Sequence, residues 1–201
     1  MMPESKTRII VGITGASGSI YAVKLLEQLK ALRVETHLVI SSAARQVIPM
    51  ETGITPEIVA AMADFQYSPE DIAAAISSGS FRTAGMVIIP CSMRSMSEIA
   101  CGVTSSLLTR AADVALKEHR RLVLVVRETP LHLGHLRSMT ALAEMGAIIA
   151  PPVPAMYTRP QTIDDIVQQS VGRVLDLLGI ESEQTIRWSG LPKKESKLCG
   201  Q

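Results

Sequence analysis

Runs of apolar, β-branched residues alternate along this chain with segments whose apolar positions recur every three to four residues. The runs at residues 8–13, 35–40, 85–90, 121–126 and 147–150 predict five strands. Their near-continuous hydrophobicity predicts a parallel sheet covered on both faces, because a half-exposed strand would alternate apolar with polar. The segments between them predict helices, including 19–32 and 106–118. The clearest helix is 163–178, where Ile163, Ile166, Val167, Val171, Val174, Leu175 and Leu178 form one stripe. Thr162 and Asp165 read as a capping box at its start, and Gly179 as its stop. The pattern as a whole predicts an α/β fold, a doubly wound parallel sheet in a three-layer sandwich. Its ligand crevice is expected at the carboxyl ends of the strands.

The first strand runs straight into Gly12-Ile-Thr-Gly15-Ala-Ser-Gly18. Glycines let the backbone turn sharply, and the open N–H groups of the following helix favour an anion. The spacing is G-x-x-G-x-x-G, not the G-x-G-x-x-G of dinucleotide folds. Hydroxyls, Ser41 and Ser42, follow the second strand where an acidic residue for a ribose would stand. No Gly-Lys-Ser/Thr occurs, which disfavours nucleoside triphosphates and leaves a mononucleotide phosphate as the expected occupant of the turn.

Composition narrows the partners. The chain has 201 residues, enough for one domain that buries about 70% of its unfolded surface. With 20 Lys+Arg against 19 Asp+Glu and only 3% aromatics, it offers neither a basic patch nor a stacking platform for nucleic acid. No stretch is long enough for a membrane span, and the short opening apolar run does not read as a secretory leader. Cys91, Cys101 and Cys199 form no C-x-x-C pair, as expected of a cytoplasmic chain. Apolar residues at 47% against 19% charged point to surface hidden in an oligomer.

The residues that follow each strand were weighed one by one. Ser17 reads as a helix N-cap or as a hydroxyl facing a ligand. Cys91 follows a buried strand and reads as an inert thiol. Met93 reads as packing and Arg94 as an anion ligand or a surface cation. Arg127 and Glu128, fixed by Pro130 directly after a strand, read equally as a site or as a solvated pair. His132 and His135 lack a third ligand and read as a helix start rather than a metal site. Arg110 and Lys117 share a helical face, Tyr157 sits in a proline-framed loop, and Glu51 follows a helix. None of these is decisive alone; their convergence on one sheet edge carries more weight.

Together, residues 12–18, 90–95, 107–117 (Leu-Leu-Thr-Arg-Ala-Ala-Asp-Val-Ala-Leu-Lys), 127–136 (Arg-Glu-Thr-Pro-Leu-His-Leu-Gly-His-Leu) and 151–160 resemble the flavin prenyltransferases of the UbiX type. The resemblance covers nearly the whole chain. It implies a flavodoxin-like flavin-binding domain with a core at about 7–179 and a tail from 180. It also implies transfer of a dimethylallyl group from dimethylallyl monophosphate to N5 and C6 of reduced FMN, with release of phosphate and no metal. The product would serve a UbiD-type decarboxylase, and the sites would lie between subunits of a dodecamer. By the same resemblance Gly15, Ala16, Ser17, Ser41, Ser92, Met93, Arg94, Ser95 and Arg127 contact the flavin. Lys117, Glu128, Tyr157 and Arg173 take the prenyl phosphate, and Trp188 helps cover the site. Ser17, Glu51 and Glu128 stand near the reacting atoms.

Two other readings stand beside this one. A flavin-dependent cysteine decarboxylase would carry a histidine base and a Pro-Ala-Ser-Ala-Asn-Thr loop. Here the loop is Pro90-Cys-Ser-Met-Arg-Ser95, and His37, His119, His132 and His135 lie elsewhere. A non-catalytic FMN carrier would have no use for Lys117, Glu128, Tyr157 and Arg173 together.

Overall fold

The computed structural model describes residues 7–183 and 185–190; Cys199 and the end of the expected tail lie outside them. Six strands form one parallel sheet in the order β3-β2-β1-β4-β5-β6. They are β1 (Arg8–Ile13), β2 (Glu35–Ile40), β3 (Phe65–Tyr67), β4 (Gly85–Cys91), β5 (Arg121–Val126) and β6 (Ile148–Ile149). Five were expected from the sequence. The sixth, β3, is a partly exposed three-residue edge strand, too short to show a period.

Alternation along the central strands divides the core in two. Ile9, Val11, Ile13, Val87, Ile89, Val123 and Val125 point to one face. There they meet α1 (Ser19–Ala31) through Leu25, Leu26 and Leu29, and α7 (Ile163–Leu178) through Val167, Val171, Val174 and Leu175. Ile10, Met86, Ile88, Leu122 and Leu124 point the other way. They meet α4 (Met93–Ala100) and α5 (Leu107–Lys117), with Leu142 of α6 (Leu133–Glu144) at the side. Two further helices, α2 (Ser42–Thr52) and α3 (Pro56–Ala60), connect β2 to β3. The sheet is thus buried on both faces, the doubly wound flavodoxin-like sandwich expected from its apolar strands.

The ends of the helices follow from local chemistry. The capping box of α7 forms, with Thr162 Oγ1 accepting from Asp165 N at 3.1 Å and Asp165 Oδ2 accepting from Thr162 N at 2.8 Å. Gly179 stops it in the left-handed region, at φ 76°.

The strand order places the switch point between β1 and β4: the chain leaves β1 toward β2, and leaves β4 toward β5. At such a point the two loops diverge onto opposite faces and open a crevice at the carboxyl edge.

Candidate active site

One buried side chain ties the two loops of the crevice together. Thr14, 1% exposed at the end of β1, donates from Oγ1 to the Pro90 carbonyl at 2.7 Å. The same oxygen accepts from Ser92 N at 2.8 Å, and Thr14 N donates to the Pro90 carbonyl at 3.3 Å. The loop after β1 is therefore held in register with the loop after β4. A further backbone bond, Arg127 N to Cys91 O at 3.1 Å, adds the loop after β5.

The turn after β1 uses its glycines for two different reasons. A Cβ on Gly15 would lie 2.5 Å from Ala43 Cβ, so only glycine lets the start of α2 approach. Gly18 adopts φ 113° as the N-cap of α1, a conformation that L side chains rarely adopt. Having no side chain, Gly18 cannot cap the helix itself, and Glu51 of α2 does so instead. Its Oε2 accepts from Gly18 N at 2.9 Å and from Ser19 N at 2.8 Å. Two expectations are corrected here. The amides that open α1, expected to seat a phosphate, are taken by a carboxylate of the chain itself. Ser17, weighed as an N-cap, instead directs its hydroxyl to Glu51. Burial pushes the Glu51 pKa up, but the bonds from Ser17 and from the amides of Ser19 and Gly18 outweigh it and hold the carboxyl below its usual range. An ionised carboxylate only accepts, so a Ser17 hydroxyl turned toward Glu51 is the donor and keeps its Oγ lone pairs.

With α1 closed, α4 offers the open anion seat at the switch point. Ser92 is its N-cap, accepting from Ser95 N at 3.3 Å, and its hydroxyl donates to Ser95 Oγ at 3.2 Å. The first-turn amides of Met93 and Arg94 have no acceptor within a helix of this geometry. Arg94 is exposed and pairs with Glu98 at 2.9 Å, while Met93 packs partly into the core. Ser41, after β2, caps α2 and accepts from Ala44 N at 3.2 Å. Arg127 is near enough for its charge to act on Tyr21: burial raises the Tyr21 pKa and Arg127 opposes it. Cys91 is fully buried and its thiol is pushed up to about 12, as the inert reading requires.

A second group lies around α7. A cavity of 60 Å³ opens between Tyr21, Ile89, Val125, Ala150, Val153 and Arg173, among others. Arg173 is exposed and stands 3.7 Å from Asp176. Tyr157 donates to the Ile186 carbonyl at 3.1 Å and meets Trp188 edge-on, with ring centroids 5.6 Å apart. Glu128, exposed at the carboxyl edge, accepts from Thr129 N at 2.9 Å.

Lys117 does not join them. It ends α5 at the amino edge of the sheet, bonded to Glu118 at 2.6 Å and close to Gly79, just ahead of β5. A six-residue strand separates that edge from Arg127, a span of about 20 Å. Arg110, on the same helix, is occupied by Asp113 at 2.6 Å and by the Ser77 carbonyl. His132 is the N-cap of α6, its Nδ1 accepting from Gly134 N at 3.0 Å, and among the described residues no group of three metal-binding side chains occurs. Nothing local to Thr14 marks it as a stitch, and nothing local to Gln169 or Asp176 marks them as contacts of residues 185–190.

Known proteins match this arrangement over nearly its whole length. The Flavoprotein family matches residues 2–175. The flavin prenyltransferase UbiX of Escherichia coli K12 is 58% identical over 186 residues, which is 91% of this chain and 98% of that protein. The AnUbiX (PadA1) structure, solved with FMN and dimethylallyl pyrophosphate, superposes with a TM-score of 0.91 at 48% identity, covering 93% of this chain and all of that one. A dodecameric FMN-dependent UbiX-like decarboxylase from E. coli O157:H7 superposes with a TM-score of 0.89 at 51% identity, covering 92% of this chain and all of that one. With a crevice at the switch point and matches of this length and identity, the chain belongs to the UbiX-type flavin prenyltransferases of the Flavoprotein family.

Proposed function

We propose that this protein joins a dimethylallyl group from dimethylallyl monophosphate to N5 and C6 of reduced FMN and releases inorganic phosphate. The observation that supports the reading is the crevice at the β1/β4 switch point, where Thr14 holds the loop of Ser17 to that of Ser92–Ser95, Glu51 bonds the first loop and the Cys91 carbonyl bonds Arg127 N. The amides of Met93 and Arg94, with the Ser92 and Ser95 hydroxyls, suit the flavin's phosphate, and Arg127 provides a second cation. Reduced flavin would supply two nucleophilic atoms: N5 gives up its proton as the C–O bond to phosphate breaks, and C6 gives up one as the dimethylallyl double bond takes one up, so that a single C5H8 unit is added. Ser17, close beside Glu51, accepts the proton at N5 and passes its own on to the carboxylate. Glu51 is suited to this because its depressed pKa keeps it ionised at neutral pH.

Departure of phosphate needs its charge met where the C–O bond breaks. Arg173 supplies a cation, the Tyr157 hydroxyl supplies a donor once it turns from the Ile186 carbonyl to phosphate, and Glu128 supplies a carboxyl group for proton transfer to the leaving oxygen. Lys117 reaches such a site only from a neighbouring copy, since its own chain places it on the far edge. That supports sites shared between subunits of a dodecamer. Exposed Met50, Leu133, Val153, Met156 and Ile163 provide apolar surface for such contacts. Cys91 and Cys101 are free thiols, in keeping with a cytoplasmic enzyme that hands its product to a UbiD-type decarboxylase.

Arg173→Ala tests the assignment. Turnover is expected to fall by about 10²–10³, the cost of one well-placed donor, with FMN binding retained. Normal turnover in this variant contradicts the role given to Arg173 and the placement of the phosphate.

A further inference from the structure

The chain's C-terminal strap, residues 185–190, is fastened to one face of α7 by side chains to which the reaction above gives no role. Gln169 is 8% exposed, and its carboxamide takes both backbone groups of a single strap residue. Nε2 donates to the Ile186 carbonyl at 2.9 Å, and Oε1 accepts from Ile186 N at 3.0 Å. One side chain thus does what a neighbouring β-strand would do. The same Nε2 lies 3.3 Å from the Tyr157 hydroxyl, which itself donates to the Ile186 carbonyl. Gln169, Tyr157 and Ile186 form a closed triangle.

Two more anchors lie along the same face. A Cβ at Gly172 would overlap the Thr185 hydroxyl, so that glycine leaves room for the strap. Asp176 receives Arg187 through both guanidinium nitrogens, at 2.7 and 3.0 Å. Positions 169, 172, 173 and 176 are spaced i, i+3, i+4, i+7, so Arg173 emerges between the anchors. Trp188 follows directly and lies against Tyr157.

We propose that Gln169 is a positioning residue for prenyl transfer, holding the strap so that Tyr157 and Trp188 close beside Arg173 on the phosphate side of the site. This rests on the reading of Tyr157 and Arg173 as phosphate ligands. Gln169 itself touches neither substrate; it acts through Ile186 and the Tyr157 hydroxyl. Removing its carboxamide frees the Ile186 backbone and loosens Tyr157 and Trp188 together, while the flavin seat at α4 is untouched.

The test uses the full-length chain with Gln169→Leu and Gln169→Glu. The second variant keeps the side chain's shape and its acceptor but loses the donor, and it carries the test if the first fails to fold. Trp188 is the sole tryptophan of the sequence, so its fluorescence reports the strap alone. In the FMN-free protein, acrylamide quenching of Trp188 is expected to rise modestly in both variants, because Trp188 is already 60% exposed. KM for dimethylallyl monophosphate is expected to rise about tenfold, the loss typical of a buried hydrogen-bonded group, with FMN affinity unchanged. Unchanged quenching overturns the latch. Raised quenching with an unchanged KM overturns the positioning role. A wild-type enzyme that never alkylates FMN contradicts the proposed function instead, and the quenching arm still decides whether Gln169 holds the strap.

Discussion

Replacing Thr14 with Val tests the structural basis of the crevice. The two side chains have nearly the same shape, so the change removes one hydroxyl from a site 1% exposed. Two hydrogen bonds go with it, the donation to the Pro90 carbonyl at 2.7 Å and the acceptance from Ser92 N at 2.8 Å. The two lost partners differ in consequence. The Pro90 carbonyl keeps the Thr14 amide at 3.3 Å, so it is weakened but not orphaned. Ser92 N is left with no acceptor. An unmet backbone donor costs about 1–3 kcal/mol and the lost bond to Pro90 about 1 kcal/mol. One additional buried methyl returns about 0.8 kcal/mol. The expected net loss is about 1–3 kcal/mol, which is about 2–12 °C in Tm for a chain of this length. Urea unfolding at fixed protomer concentration measures it, because oligomer stability depends on concentration. FMN titration of the folded variant measures the second consequence, weaker binding as the loops after β1 and β4 lose register. Ser92→Ala is the control: it removes a cap worth about 1 kcal/mol and leaves the Thr14 bond in place. If Thr14→Val matches wild type in both stability and FMN affinity, the stitch does not build the crevice.

Other perturbations reach different parts of the account. Because the Glu51 pKa is depressed in the fold, its stabilisation is fully present above the unfolded value near 4.5 and is lost as pH falls through the lower folded value. Glu51→Gln should therefore flatten the acid limb of the stability profile below about pH 4.5, and an unchanged limb would assign acid sensitivity to other carboxylates. Gly15→Ala places a Cβ 2.5 Å from Ala43 Cβ and should cost about 1–3 kcal/mol by overpacking, moving Ser41 and Glu51 with α2. Urea unfolding and FMN titration read both effects, and full FMN affinity would show that α2 can yield. Lys117→Ala and Arg173→Ala should each be inactive alone. Assembled from a mixture refolded together in equal amounts, they should regain about a quarter of wild-type sites, since one site would draw the two residues from different copies. No regain would place both residues in one subunit's site.

The fold was legible because the central strands are buried on both faces, which writes uninterrupted Ile/Val runs into the sequence. β3 was hidden because an exposed edge of three residues carries no period. The crevice could be found from the strand-end rule, since Ser17, Ser41, Ser92–Ser95 and Arg127 all follow strands. What occupies each loop could not be read locally. Gly18 leaves α1 uncapped, and nothing near it in sequence says that a carboxylate 33 positions away fills the seat. Lys117 was grouped with the phosphate residues only by resemblance. Its placement one strand-length from the crevice is a property of the sheet topology, and under the proposed function its return to a site would come from a neighbouring copy. Gln169 lies on the face of α7 opposite the stripe of Val167, Val171, Val174 and Leu175, where an amide reads as ordinary solvated surface until Ile186 is laid beside it.

The central claim is covalent change at the flavin. Purified protein, reduced FMN and dimethylallyl monophosphate are incubated without oxygen, and the extracted flavin is weighed. The account predicts a flavin heavier by one C5H8 unit, with inorganic phosphate released in equal amount. A flavin of unchanged mass, with FMN bound and a control enzyme active under the same conditions, would contradict prenyl transfer.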